Sequence, residues 1–536
     1  RSFLSLVIDE NIDDNDYNRG IEPLPNLEFK FVTANTLIGL DENKSGKTGN
    51  IGSGYFDFGE TEQLQNELQE LRNNYLQASP VEKEKIKTQF EILQTQIYKQ
   101  ELRNNSKNKR AQQLASWKPF SNESCKWFDP QWMYGVKDFD IVIGNPPYSV
   151  FQGKSKKQLS SIMENEIYDK AKGGKINAYE LFLCKTPKLL KENGVNSQIF
   201  QNSFLADNTT AGVRKFYIEN QKIISIDSFP ERDNPKKRIF EKVKMSVCIL
   251  INLNTYSKSH YFQVNFWKDK YKSSGKSIIY NNEAIFKFNP DQAIIYNLDN
   301  HEKNIFEKYF LNNKINYSNH YKCMEGELNM TFHKNYLVND NKKPLVIKGA
   351  QVQRYFVTDN PSQGEVQYLD KRRYLNDYKR SKKSKHHRLP RVAMQGITGA
   401  NDKIRIISTL INKDVFLANS CNYIISISKD QAYSIGFILG VFNSKFTNWI
   451  FRRSSTNSNV NCYEVDNLKL PEYNKQFYQK INKLAIECSE TADEKVENQI
   501  DILVYKLYNL TYDEVLIVDP EFSLSKEEYE NYKIEE

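Results

Sequence analysis

The stretch Asp140-Ile-Val-Ile-Gly-Asn-Pro-Pro-Tyr148 concentrates more chemistry than any other part of this sequence. Residues 139–143 read as a buried-type strand that ends in Gly144 and passes into a rigid Asn145-Pro146-Pro147-Tyr148 turn. Two consecutive prolines fix the backbone and remove two N–H donors. The turn therefore offers acceptors, the Asn145 side-chain oxygen and the Pro146 carbonyl, beside the flat face of Tyr148. Two convergent acceptors and a stacking ring suit a planar base that bears an exocyclic amino group. Hydrogen bonds from that amino group to the two oxygens leave its nitrogen lone pair freer to attack an electrophilic methyl. Read alone, the same four residues also fit an ordinary tight turn.

A second region with chemistry spans 371–391. Lys371, Arg372, Arg373, Lys379, Arg380, Lys382, Lys383, Lys385, Arg388 and Arg391 place ten cations among twenty-one residues, interleaved with Tyr374, Tyr378, His386 and His387. That density suits phosphate neutralisation, and the rings can stack or wedge; the plainer alternative is a solvated charged loop. Arg354, Gln395, Arg405, Arg452, Arg453 and Asn457 are of the types that read base edges. Other chemistries find less support. Gly46-Lys47-Thr48 is no phosphate-binding loop, because Asp41 stands where that loop needs glycine. Asp233 to Lys237 and Asp519 to Glu521 lack the strand context of a nuclease triad and read as turn and tail. The seven cysteines and six histidines show no metal-ligand spacing, so no metal is expected and the thiols read as reduced and cytoplasmic.

The elements that must position these residues follow from composition and periodicity. The chain has 536 residues, enough for about three domains. Its 32 Tyr and 31 Phe exclude a disordered chain. Lys+Arg 75 against Asp+Glu 67 gives +8, which permits a nucleic-acid partner without demanding one. No apolar run approaches the length needed to span a bilayer. Phe29-Lys-Phe-Val-Thr-Ala34 alternates as a strand. Leu64, Leu68, Leu71 and Tyr75, then Ile86, Phe90, Leu93 and Ile97, predict a helical hairpin over 61–112 that packs on itself. Between 138 and 253 the pattern alternates: strand, a helix over 176–190, a turn at Asn193-Gly194, a strand ending at Phe200, a helix over 204–217, then strands at 223–226 and 245–251. This predicts a doubly wound α/β sheet. Residues 255–471 are aromatic, basic and irregular, and helices return from 472, at 475–488 and 493–508.

The Asn-Pro-Pro-Tyr segment resembles motif IV of amino-methylating DNA methyltransferases, in its N6-adenine branch. Trp127-Phe-Asp-Pro-Gln-Trp-Met-Tyr-Gly135, Ser228 to Phe240, Lys348-Gly-Ala-Gln-Val-Gln-Arg-Tyr355, Asn443 to Ile450 and Ile500 to Tyr508 are similar to type IIG restriction–modification enzymes, which fuse methylation with target recognition. The resemblance implies a Rossmann-like class I methyltransferase sheet, N-terminally incomplete, over 1–254, with 61–112 inserted. It implies a mixed α+β target-recognition domain over 255–471 and a helical C-terminal segment over 472–536. It further implies S-adenosylmethionine as cofactor, double-stranded DNA as partner, and no membrane. Asn145, Pro146 and Pro147 would then form the catalytic turn and hold the adenine amino group. Tyr148 and Phe240 would stack on the flipped base, although Phe240 also reads as a core residue capping a strand. Asn35 would approach the cofactor where relatives often carry an acid. The family's glycine-rich cofactor loop is absent, and 45–54, glycine-rich but flanked by neither strand nor helix, reads as a linker. Residues 1–10 would follow that loop in the family, so an upstream portion is expected, with any linked nuclease in it. Two alternatives remain open: a DNA-binding specificity module whose catalysis needs that portion, and methylation of cytosine N4 or of a non-DNA amide.

Overall fold

A computed structural model describes residues 29–41, 58–104, 109–121, 123–289, 291–313, 315–361, 365–399, 402–428, 433–456 and 458–534, with Asp13 and Asn15. The expectations placed on residues 1–10, 45–54 and Asn457 lie outside them. The chain forms two compact units, each built from several pieces. Unit one takes Arg1–Ile143, Ser149–Ala171 and Ile176–Asn196; unit two takes Gly144–Tyr148, Lys172–Lys175 and Ser197–Glu536. The chain thus passes between units at 143/144, 148/149, 171/172, 175/176 and 196/197.

In unit one, helices α1 (Phe58–Gln77) and α2 (Pro80–Asn104) make the expected hairpin, followed by α3 (Lys109–Ser116). The break between α1 and α2 is set locally, where the Glu82 carboxylate accepts from the Ser79 N–H and hydroxyl at 3.0 and 2.7 Å. The hairpin does not pack only on itself. Leu68, Tyr75, Phe90, Leu93 and Ile97 share one core with Phe29, Leu114, Trp117, Trp127 and Trp132. Phe29 meets Tyr75 and Phe90 at 5.3 Å between ring centroids. This corrects the strand expected at 29–34. Only Ala34 bridges, to Cys125, because Phe29 leaves the alternation to fill the aromatic core and, among the described residues, no second strand lies alongside.

A six-stranded sheet runs in the order β1-β2-β4-β3-β5-β6, with β1 Phe139–Gly144, β2 Leu190–Gln201, β3 Lys222–Phe229, β4 Val247–Leu253, β5 Tyr261–Trp267 and β6 Gly275–Asn281. A Cβ on Gly194 would lie 3.1 Å from Asp140 O, and one on Gly144 3.9 Å from Gln198 Cγ, so β1 and β2 run parallel. Their crossover contains α4 (Ala178–Lys185), shorter than expected. The Asn193-Gly194 turn exists but sits within the span of β2. Asn193 adopts φ 62°, and a Gly194 Cβ would stand 3.0 Å from Lys191 O. Likewise the helix over 204–217 is a 3₁₀ turn, Asn202–Leu205, and then α5 (Ala211–Asn220). Strand β3 pairs antiparallel with β4 and parallel with β5, and β6 closes the edge antiparallel. The sheet therefore runs past residue 254, where the change in composition had suggested a boundary; its last strands carry the aromatic alternation Phe262, Val264, Phe266 toward the core.

The rest of unit two holds two four-stranded sheets. One orders Ser408–Ile411, Arg391–Gln395, Cys421–Ser426 and Tyr321–Glu325; the other orders Phe416–Leu417, Leu345–Ile347, Gln367–Leu369 and Leu337–Val338. Helix α6 (Lys371–Asp377) lies in sequence between the strands Gln367–Leu369 and Arg391–Gln395, and α7 (Lys475–Thr491) and α8 (Glu494–Leu507) begin the helical C-terminal stretch at the expected places. Among the described residues no helix is long and apolar enough to cross a membrane.

Candidate functional site

Gly144 closes β1, and the next four residues divide by exposure: Asn145 and Pro147 are exposed, Pro146 is buried, Tyr148 half-buried. Buried Pro146 anchors the turn and leaves the Asn145 carboxamide at the surface. The Tyr148 hydroxyl donates to Asn145 Oδ1 at 2.5 Å and also reaches the carbonyl of Ile199, near the end of β2, at 3.1 Å. Burial pushes the Tyr148 hydroxyl up to about 12, so it keeps its proton, and its donor role, at neutral pH. An amide oxygen has two lone pairs, and Tyr148 occupies one of them. The other can accept from an incoming amino group.

Phe240 lies against this turn. Its ring centroid is 6.2 Å from that of Tyr148, with the planes at 50°. A base stacked between two rings needs about 7 Å, twice a carbon–carbon contact of about 3.5 Å. The two rings here touch each other, so admitting a base requires them to part by about an ångström and turn parallel. The Phe240 backbone is held by a residue that sequence reasoning passed over. Arg238, 9% exposed, donates through Nε to Phe240 O at 3.0 Å and Glu241 O at 3.2 Å, and through Nη1 to Arg232 O at 2.9 Å. Nothing in its spacing marks it; an arginine in a Pro- and Asn-rich turn reads as solvated. Beside it Ser246 Oγ donates to Pro230 O at 2.7 Å, and buried Ser228 donates to Asn202 Oδ1 at 2.8 Å.

Asn35 lies in unit one, where its Oδ1 accepts from the Leu37 N–H at 3.2 Å. It shapes its own turn. Among the described residues no group of His, Cys, Asp and Glu side chains could hold a metal ion.

The basic run divides. On α6, Arg372 and Arg373 are exposed, as are Lys379, Arg380, Lys382, Lys385 and Arg388 beyond it; Lys371 and Lys383 are partly covered. Lys371 pairs with Asp414 at 2.6 Å. Arg391 is different: it is fully buried, its Nη1 lies 2.8 Å from Glu327 Oε1, and its guanidinium covers the Tyr423 ring at 5.3 Å. A side chain with no surface cannot meet a phosphate, so Arg391 leaves the set expected to bind DNA. Of the presumed base readers, Arg354 pairs with Glu497 at 2.8 Å, Gln395 donates to Val352 O at 2.7 Å, Arg405 is buried on Thr398 Oγ1 at 2.8 Å, and Arg453 is paired with Glu302. These four hold the fold. Arg452 is partly covered.

Residues 33–234 match the family model of the Eco57I restriction-modification methylase. Type II methyltransferase M.HincII of Haemophilus influenzae is 28% identical over 116 residues, which cover 22% of this chain and 22% of that protein. A Methanocaldococcus jannaschii protein assigned as a type II restriction enzyme and methyltransferase is 22% identical across an alignment covering 95% of this chain and 47% of its own. Among solved structures, the type IIL restriction-modification enzyme MmeI in complex with DNA has a TM-score of 0.44 and 12% identity, over 71% of this chain and 56% of that chain. The chain thus spans about half or less of the length of the curated relatives it matches.

Proposed function

We propose, from the premise that residues 33–234 form an Eco57I-type restriction-modification methylase domain, that this chain methylates DNA at the N6 of an adenine flipped out of the duplex. The observation that carries the reading is the exposed Asn145 oxygen, oriented by Tyr148 at a strand's end beside the ring pair Tyr148–Phe240. Extrusion is required because the amino nitrogen is unreachable inside the stack. Asn145 Oδ1 and Pro146 O accept the two amino protons, Tyr148 and Phe240 hold the base plane, and orientation supplies the acceleration. The exposed cations of 371–388 hold the phosphates. The chain through the last strand of the six-stranded sheet, at Asn281, would act as the catalytic part, 282–471 as target recognition and 472–536 as helical support. The strand order β1-β2-β4-β3, with β4 antiparallel to β3, fits the carboxyl half of a Rossmann-like methyltransferase sheet.

The family implies S-adenosylmethionine. Among the described residues Asn35 is the one candidate contact for it, and no glycine-rich turn joins a strand to a helix. The reading therefore concerns the acceptor side. A second reading, a specificity module whose catalysis needs a further N-terminal portion, is favoured by β1. Among the described residues this strand ends the sheet, and its Ile141 and Ile143, on one face, are 64% and 80% exposed, an apolar surface of the kind that ordinarily finds a cover.

Incubation of the full chain with tritiated S-adenosylmethionine and unmethylated genomic DNA, followed by nucleoside separation, tests both. Label in N6-methyladenine that disappears in Asn145→Ala supports methylation. Label in another product refutes the adenine assignment, and DNA binding without label supports the second reading.

A further inference from the structure

The turn 329–333 carries a side chain that the methylation reading does not use. Asn329 Oδ1 accepts from the N–H groups of Thr331 and Phe332 at 3.0 and 3.1 Å, His333 N donates to Asn329 O at 2.8 Å, and Asn329 N donates to His333 Nδ1 at 3.0 Å. Four hydrogen bonds close five residues into one shape. At its tip Phe332 is 78% exposed, more than any other aromatic side chain among the described residues. A single exposed Phe on a neutral surface needs no explanation. This one stands beside the densest cation run of the chain.

The coupling between turn and cations is direct. The His333 ring lies 4.9 Å from that of Tyr378 and 5.5 Å from that of Tyr374, both inside the basic segment. Burial lowers the His333 pKa, which keeps the ring neutral and Nδ1 an acceptor. Tyr336, three residues on, packs at 5.7 Å from Tyr374, carries the Arg373 guanidinium over its face at 5.4 Å and donates to Asp377 Oδ2 at 2.8 Å. Asp377 is the one acid within 371–391, and Tyr336 already engages it. The backbone joins in, with Asp370 N donating to Tyr336 O at 2.9 Å. Turn and basic segment are therefore one packed assembly. It carries the exposed Phe332 on a turn packed, through His333 and Tyr336, against the segment that holds Arg373, Lys379 and Arg380.

We propose that Phe332 is a DNA wedge, its ring stacking at a base step of the duplex whose phosphates the neighbouring cations grip. The proposal rests on the DNA-binding part of the reading above. Cations answer to the phosphate charge, and their contribution fades as salt rises. A stacked ring contributes equally at every salt concentration, so the two separate in one experiment.

The full chain is titrated with a fluorescein-labelled duplex of mixed sequence over a series of salt concentrations, as wild type, Phe332→Ala, Phe332→Trp and the double variant Arg380→Ala/Lys382→Ala. Because the ring is solvent-exposed, Phe332→Ala should leave the melting temperature in place. It should weaken binding roughly tenfold to a hundredfold, the range of a lost base–aromatic stack, with an unchanged slope of log affinity against log salt. Phe332→Trp should bind as tightly as wild type. The double cation variant should lose close to two units of slope, at about 0.9 per phosphate contact. Wild-type binding with Phe332→Ala unchanged within about twofold, or with a reduced slope, would overturn the wedge alone. A wild-type chain that binds no duplex overturns the DNA reading and the wedge with it.

Discussion

Arg391 offers the sharpest test of how the basic segment divides between fold and ligand. It faces Glu327 with both side chains fully buried, 2.8 Å apart. At an effective dielectric of about 20, that separation is worth about 6 kcal/mol of attraction before desolvation is subtracted. Arg391 Nε and Glu327 Oε2 are buried without hydrogen-bond partners, so the pair is not fully compensated. Removing one member should then cost about 3–5 kcal/mol, whereas replacing both by apolar side chains should cost little. We expect Arg391→Met to lose that amount at pH 8 and Glu327→Leu/Arg391→Met to return to within about 2 kcal/mol of wild type, by urea denaturation. The pH dependence is also fixed in sign. Burial already raises the Glu327 pKa, against the pull of Arg391. Without Arg391 it rises further, so the variant takes up a proton that the wild type has released. The stability gap should be smallest near pH 5 and widen by up to about 1.4 kcal/mol per unit toward pH 8. The salt dependence of DNA binding should not change. The assignment fails if Arg391→Met costs under about 1 kcal/mol at pH 8, or if it lowers the salt slope by about one, as loss of a phosphate contact would.

Three further outcomes follow from the site and the core. Arg238→Ala frees the carbonyls that fix the Phe240 loop, so single-turnover methyl transfer should fall more than DNA affinity does; equal falls would mean that Arg238 does not position the ring. Tyr148→Phe keeps the ring but removes the donor to Asn145, so transfer should drop by no more than about tenfold, the worth of one hydrogen bond, while Tyr148→Ala should drop much further. Asp501 is 3% exposed, accepts from Lys445 N at 2.8 Å, and burial pushes its pKa up to about 7. An acid raised from about 3.9 stabilises the fold at low pH and loses that contribution between about pH 4 and 7, so Asp501→Asn should gain up to about 4 kcal/mol over wild type at pH 8 and nothing at pH 4. A flat difference between the two variants across that range would refute the titration.

Where the sequence was legible, one local rule dominated. The places of strand β1 and of the turn after it follow from an apolar run ended by Gly and two prolines, but the burial expected of β1 does not, since Ile141 and Ile143 are exposed; α7 and α8 follow from a sustained apolar period. Elsewhere tertiary packing overrode the local pattern. Residues 29–34 alternate like a strand, yet Phe29 is worth more inside the aromatic core than in a ladder without a partner. The strands at 261–281 were hidden in an irregular, aromatic stretch because only one of their faces is buried. Charge was the least informative signal. Arg354, Arg391, Arg405 and Arg453 look in one dimension like Arg380 and Arg388, and only their partners, Glu497, Glu327, Thr398 and Glu302, reveal that they are already engaged within the fold. Arg238 escaped notice for the same reason.

The five passages of the chain between its two units carry a consequence for modularity. The Asn145–Tyr148 turn belongs to unit two, although the strand leading into it belongs to unit one, and 172–175 make a second such excursion. A recombination event or an engineered cut after residue 196 would carry away most of unit two while leaving its Asn145–Tyr148 turn behind on the other fragment. A graft that keeps both units intact must therefore leave residues 144–148 and 172–175 with the pieces beyond residue 196 that complete unit two.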